Sequence, residues 1–262
     1  KFLERIEIYL PFLKKYHFTI DTQNTFPHSS GIASSASGMA ALAMNFMSLE
    51  KELNPEMTEA YFYQKASLLA RLGSGSACRS IKGANIKGSS DLYGAEFPNA
   101  IHENFKSYQD TILLVDKGEK QVSSTVGHDL MHDHPYAERR FAQAHENLDK
   151  LTTIFESGNL EEFIKVVESE ALTLHAMMMT SMPYFILMKP NTLQIINTIW
   201  KFRNETKIPV CFTLDAGANV HVLYPENVSK KVLQFIKDEL VDFCQNGQYI
   251  CDEIGNGSIQ LV

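Results

Sequence analysis

"FPHSSGIASSASGMAALAM", residues 26–44, sets five serines and two glycines between a proline and a run of helix formers. A helix start leaves backbone N–H groups without intrahelical partners and carries a partial positive charge. Anions bind there when small side chains let the backbone come close. Gly31, Ala33, Ser34, Ser35, Ala36 and Gly38 meet that requirement, and the hydroxyls of Ser34 and Ser35 add donors. The same residues also serve an ordinary capped and tightly packed helix. Composition does not separate the two readings. No lysine follows the loop, so it is not the GxxxxGK[ST] loop of the P-loop enzymes.

The surrounding chain has 262 residues, 44% hydrophobic and 21% charged, enough for one large or two smaller soluble domains. Its formal net charge is −7 and no basic stripe is visible, which argues against a nucleic-acid partner. An anionic ligand must therefore be held by local groups, since the average field repels it. No apolar stretch approaches membrane-spanning length. The N-terminus, "KFLERIEIYLPFLKKYH", carries charges throughout and lacks a signal peptide's apolar centre. Cys78, Cys211, Cys244 and Cys251 form no CxxC pair, the usage of a cytoplasmic protein with reduced thiols.

Periodicity predicts a helix over 2–15, with Pro11 placed to kink it, then a strand over 17–26. Helices follow over about 35–53 and 58–73, the second with Thr58 as N-cap and Gly73 as C-cap. Residues 73–94 are rich in glycine and serine and read as a long functional loop. Beyond it come a strand over 110–116, a possible pairing strand at 120–125, and helices over 134–156, 159–180 and 191–204. Strands over 208–214 and 220–224 flank "DAGAN", and a final helix spans about 227–245. Clustered helices with paired strands argue for α+β rather than regular βαβ alternation, with a domain boundary near 108.

Two further stretches carry chemistry. "GSGSACRS" (73–80) offers the hydroxyls of Ser74 and Ser76 and the permanent cation of Arg79, which can grip a carboxylate or phosphate bidentately. "FTLDAGANVH" (212–221) places Asp215 in a turn between two apolar strands. An aspartate there commonly bonds its own backbone. Projected instead into a cleft, it can orient or deprotonate a hydroxyl.

In its order of residues the opening loop resembles the second motif of the GHMP kinase superfamily, P-x-x-x-G-L-x-S-S-A. Within that superfamily it is most similar to the mevalonate diphosphate decarboxylase pattern N-x-F-P-T-A-A-G-L-A-S-S-A-A-G. Asn24, Phe26, Pro27, Gly31, Ala33, Ser34, Ser35, Ala36 and Gly38 match, while His28, Ser29 and Ser30 replace Thr-Ala-Ala. "GSGSACRS" resembles the decarboxylase signature at all eight positions, and "FTLDAGANVH" resembles F-T-x-D-A-G-P-N-V-H with Ala218 in place of proline. "QVSST" (121–125) resembles V-S-S-T-x-G-M, with His128 where methionine often sits.

The resemblance implies a two-domain GHMP-kinase-like α+β fold. A ribosomal-protein-S5-like N-terminal domain, here lacking its first strands, occupies 1–108, and a ferredoxin-like α/β sandwich occupies 109–262. It implies ATP-dependent decarboxylation of mevalonate 5-diphosphate to isopentenyl diphosphate, with Mg²⁺, in a cytoplasmic homodimer. Asp215 and Arg79 become the catalytic residues. Ser74, Ser76, Arg79, Ser123 and Ser124 become the substrate contacts, and Ser30, Gly31, Ala33, Ser34 and Ser35 the ATP-phosphate loop. A related kinase that does not decarboxylate, or an inactive nucleotide-binding piece, are the alternatives. The family's opening segment A-N-I-A…K-Y-W-G-K has no counterpart here, so the chain reads as a piece of a longer protein or as its ordered segments. "HDLMHDH" (128–134) has two histidines on one helix face but no HExxH, and reads as a polar helix start rather than a zinc site. The methionines of "HAMMMTSM" (175–182) read as core filler.

Overall fold

The computed structural model describes residues 1–27, 31–82, 86–87, 92–118 and 130–261. They divide into two compact units, one taking Lys1–His28, Ala33–Phe97 and Gly255–Val262, the other Ser29–Ile32 and Pro98–Ile254.

In the first unit, α1 (Phe2–Ile6) is a short helix, and a separate 3₁₀ turn runs over Pro11–Lys14. The single helix expected over 2–15 is thus divided in two: proline lacks the N–H that a continuing helix needs, and it opens the new turn instead. Residues 17–26 join no strand, a second correction. Their apolar signal comes from Phe18, which packs edge-on against Phe46 at 5.4 Å.

Next come α2 (Ser34–Leu53) and α3 (Glu59–Gly73). Helix α2 buries Ala36, Ala40, Ala43 and Met47 at three- and four-residue steps, and α3 buries Phe62, Ala66, Leu69 and Ala70 in the same core. Thr58 caps α3 by accepting the Tyr61 N–H at 3.3 Å. Gly73 is not the C-cap: it is the last helical residue, and Ser74 caps in extended backbone. A Cβ on Gly73 would lie 2.5 Å from Met39 Sδ and 2.9 Å from Phe2 Cε2, so this glycine answers a close approach. After a 3₁₀ turn at Ala77–Arg79, two two-residue strands, β1 (Ile86–Lys87) and β2 (Ala95–Glu96), pair antiparallel.

The second unit contains β3 (Gln109–Leu113), α4 (Ala137–Ser157), α5 (Leu160–Thr180), α6 (Pro190–Thr206), β4 (Cys211–Thr213), β5 (Val220–Tyr224), α7 (Ser229–Phe235) and β6 (Tyr249–Glu253). The strands form one antiparallel sheet in the order β4-β5-β3-β6. Phe212 pairs with Val222 and joins Val220, Tyr224, Ile195, Ile199 and Phe235 in one core. Cys211 pairs with Leu223 on the alternate face and packs among Phe105, Tyr108, Phe163 and Ile164.

The expected final helix over 227–245 is corrected to a 3₁₀ turn, α7, a π turn at Ile236–Leu240 and another 3₁₀ turn. The wider turn keeps Ile236 and Leu240 buried alongside Val232 and Phe235. Strand β6, half polar and at a sheet edge, carries no alternation that the sequence reading detected. Clustered helices with antiparallel strands make the fold α+β. Among the described residues no helix is long and apolar enough to cross a membrane.

Candidate functional site

Helix α2 starts from a residue that ordinary capping would not select. Ala33 sits in left-handed backbone (φ 53°, ψ 33°) and, lacking a side-chain oxygen, supplies no side-chain cap to the first turn. Gly31 also has positive φ, at 79°. Left-handed backbone costs a non-glycine residue about 1–2 kcal/mol, and such strain collects at ligand clamps. Left-handed residues of this kind also occur where backbone N–H groups form anion-binding concavities.

The same unit brings the second motif to this helix start: Ser35 Oγ and Ser74 Oγ lie 3.3 Å apart. The chain turns at Ser74, whose carbonyl accepts from Ala77 N–H, and Ser76 leads into the 3₁₀ turn. Ala77 and Cys78 are buried. Ser67 ties the turn down by donating to the Cys78 carbonyl at 2.9 Å and accepting the Gly94 N–H. With the apolar residues of the turn inward, Arg79 is exposed, and its guanidinium makes no ion pair among the described residues. Of the loop expected over 73–94, residues 73–80 are therefore a pinned turn that offers two hydroxyls and a cation, while 83–85 and 88–91 lie outside the described residues.

In the second unit, Asp215 sits in the connection between β4 and β5. Its backbone carbonyl accepts from the Gly217 N–H at 2.7 Å and from His175 Nε2 at 3.2 Å. Its carboxylate, half-buried, takes no hydrogen bond among the described residues, so the self-bonded aspartate turn that the sequence left open is not what forms. The turn is held elsewhere. Thr192 Oγ1 donates to the Ala218 carbonyl at 2.6 Å, and Asn219 Oδ1 accepts the Asp116 N–H at 3.0 Å. Gly31 belongs to this unit: a Cβ placed on it would meet Gly217 Cα at 3.5 Å. His221 Nε2 reaches the Gly31 carbonyl at 3.3 Å, while Nδ1 bonds Asp110 Oδ2 at 2.8 Å.

Two histidines that the sequence did not single out thus shape this region. Burial pushes the His175 pKa below its ordinary value, against the pull of the Asp215 carbonyl and carboxylate. At His221 burial also opposes the charge, but the hydrogen bond and negative charge of Asp110, then the Gly31 carbonyl and Asp215, outweigh it and raise the pKa. The signal for His221 lay in "VHVLY", where alternation sets it on the face opposite Val220 and Val222. Asp110 and His175 carry none, because their partners are distant in sequence.

Ser30, Ser123, Ser124, His128 and the 120–125 strand lie outside the described residues. His134 is a structural residue: it is buried, accepts the Tyr136 N–H at Nδ1 and meets the Met177 carbonyl with Nε2. Among the described residues no group of three metal-ligating side chains occurs.

An α+β chain with a small-residue loop, a pinned serine–arginine turn and an aspartate hairpin matches a family outline over most of its length. The description "Diphosphomevalonate decarboxylase-like N-terminal domain" fits residues 1–93, and "Mevalonate 5-diphosphate decarboxylase C-terminal domain" fits residues 111–259. The chain belongs to the mevalonate 5-diphosphate decarboxylase family. It is 29% identical to the phosphomevalonate decarboxylase of Haloferax volcanii, over 84% of this chain and 65% of that protein. Among solved structures, a mevalonate diphosphate decarboxylase from Legionella pneumophila is 30% identical, with a TM-score of 0.72 over 94% of this chain and 77% of that one. A complex described as MDDEF with MVAPP, AMPPCP and magnesium is 29% identical, with a TM-score of 0.73 over 90% and 69%. The chain therefore spans about two thirds of the length of the Haloferax relative.

Proposed function

We propose that this protein decarboxylates mevalonate 5-diphosphate to isopentenyl diphosphate in an ATP-dependent reaction that also yields ADP, phosphate and carbon dioxide. The observation that carries the reading is the Asp215 carboxylate. The turn is held by His175 at the Asp215 carbonyl, by Thr192 at the Ala218 carbonyl and by the Asn219 side chain at Asp116, while the acid itself takes no hydrogen bond among the described residues. An acid fixed in this way, and not spent on local bonds, suits the orientation of a hydroxyl or removal of its proton.

The described residues fit the phosphates of ATP. The strained start of α2, where Ala33 supplies no side-chain cap, presents first-turn amides, and Ser34 and Ser35 add hydroxyls. ATP, when bound, supplies the phosphoryl group that makes the tertiary hydroxyl of the substrate a leaving group. Asp215 orients that hydroxyl and takes its proton. Arg79, with Ser74 and Ser76, holds the carboxylate and diphosphate so that the breaking bonds align. Ser30, Gly31 and Ala33 belong to the ATP loop, and Ser123 and Ser124 to the substrate contacts. Mg²⁺ is commonly held through phosphates, water and one or two carboxylates, so it needs no cluster of protein ligands. Four free cysteines accord with a reducing, cytoplasmic setting. The exposed side chains of Met182, Tyr184 and Ile186 offer a surface for the second copy of a homodimer.

A second reading, favoured by the Haloferax relative, has mevalonate phosphate as the substrate. Carbon dioxide and ADP measured together from each substrate decide the matter. Equimolar release from the diphosphate is expected. Release from the monophosphate alone supports the second reading, and ADP without carbon dioxide identifies a kinase.

A further inference from the structure

Both ring nitrogens of His221 face oxygen acceptors. Nδ1 lies 2.8 Å from Asp110 Oδ2, across from β5 on the neighbouring strand β3, and Nε2 lies 3.3 Å from the Gly31 carbonyl. A carbonyl oxygen can only accept, so Nε2 must donate. A neutral ring beside an ionised Asp110 has one N–H for two acceptors, and whichever tautomer forms turns a lone pair against an oxygen. Only the imidazolium satisfies both. The need is sharpened by the other carboxylate oxygen, Asp110 Oδ1, which is buried and finds no hydrogen-bond partner among the described residues. Among the described residues His221 alone ion-pairs with Asp110. The charged groups facing the ring are Asp110 from β3 and Asp215 from the β4–β5 turn, both acidic.

Gly31 is where this pair touches the loop. It has positive φ and stands two residues before Ala33, the residue from which α2 starts. We propose that His221 is a positioning residue: as an imidazolium it ties Gly31 beside the Asp215 turn, so that phosphate binding by the loop requires a proton held between Asp110 and Gly31. The inference rests on the ATP-binding role proposed for that loop. On loss of the proton the Gly31 tether becomes a lone-pair contact, the loop backbone loses its fixed direction, and the preorganised anion site loosens. Chemistry at Asp215 does not itself require the proton, so the effect falls on nucleotide affinity before it falls on turnover.

The test combines nitrogen–proton spectra of the imidazole rings with calorimetric titration of Mg²⁺–ATP from pH 6 to 9. Wild type, His221→Gln and Asp110→Asn are compared, and thermal unfolding checks that each variant folds. In the wild type both nitrogens of His221 are expected to be protonated at pH 7. Affinity for ATP is expected to fall at least ten-fold on the alkaline side and to converge on the value of His221→Gln, which varies with pH only as ATP itself does. Asp110→Asn should move the transition to lower pH. A neutral His221 ring at pH 7, or wild-type and His221→Gln curves that run parallel, overturns the proposal, and the ring spectrum decides even if a variant fails to fold. Carbon dioxide release without the His221-dependent profile overturns this inference alone. The profile without carbon dioxide release overturns the decarboxylase reading alone, and a wild type that binds no ATP overturns both.

Discussion

Ser35 Oγ and Ser74 Oγ lie 3.3 Å apart although 39 residues separate them. The pair is exposed, so as a structural bond it contributes little, within the roughly 0.5–1.5 kcal/mol of a neutral hydrogen bond. Two hydroxyls at the start of α2 matter more to a phosphate, where a charge-assisted bond is worth about 1.5–3 kcal/mol.

Ser35→Ala and Ser74→Ala should therefore leave the unfolding midpoint within a few degrees of wild type. Each should weaken ATP or substrate binding by about ten- to hundred-fold, the equivalent of one charge-assisted bond. Calorimetry beside a thermal melt separates the two effects. Loss of stability with unchanged binding would assign the pair to the scaffold.

The glycines of the loop and helix should respond in opposite directions. Gly31→Ala has room for its methyl group, 3.5 Å from Gly217 Cα, but must adopt φ 79°, at a cost of about 1–2 kcal/mol. Gly38, inside α2, has nothing within 4 Å of the place a methyl group would take, so Gly38→Ala should stabilise by about 0.5–1 kcal/mol. Urea unfolding measures both. A stabilising Gly31→Ala would contradict the left-handed backbone assigned to the loop.

His175 and His221 should give the second unit opposite pH responses. The lowered pKa of His175 means that the unfolded chain binds the proton more readily, so its contribution is present above the ordinary imidazole value and lost as pH falls. The raised pKa of His221 makes its contribution present below that value and lost as pH rises through the folded-state value. Trp200, the single tryptophan, lies in this unit and reports its unfolding. Against wild type, His175→Gln should flatten the acid limb of stability and His221→Gln the alkaline limb. Variants that keep both limbs would remove the assigned charge states.

Much of this architecture is legible in the sequence because its signals are local. Thr58 announces α3, the run of helix formers after the serine loop announces α2, and the apolar flanks of "DAGAN" announce the hairpin that carries Asp215. Misreadings arise where a residue answers a tertiary demand. Gly73 resembles a cap but makes room for Met39 and Phe2, and Phe18 mimics a strand while anchoring to Phe46. The partners of the groups around the Asp215 turn are invisible for the same reason. His175 is 40 residues from the carbonyl it holds, and His221 is 190 residues from Gly31. No spacing rule links such partners.

The most direct test is the joint release of ADP and carbon dioxide from carboxyl-labelled mevalonate 5-diphosphate by wild type and by Asp215→Asn, a variant that keeps the shape of the turn and removes its charge. Equimolar release by the wild type is expected, with loss of both products by about 10²–10⁴-fold in the variant, the range expected when positioned acid–base assistance is removed. Undiminished release by Asp215→Asn would contradict the role proposed for Asp215.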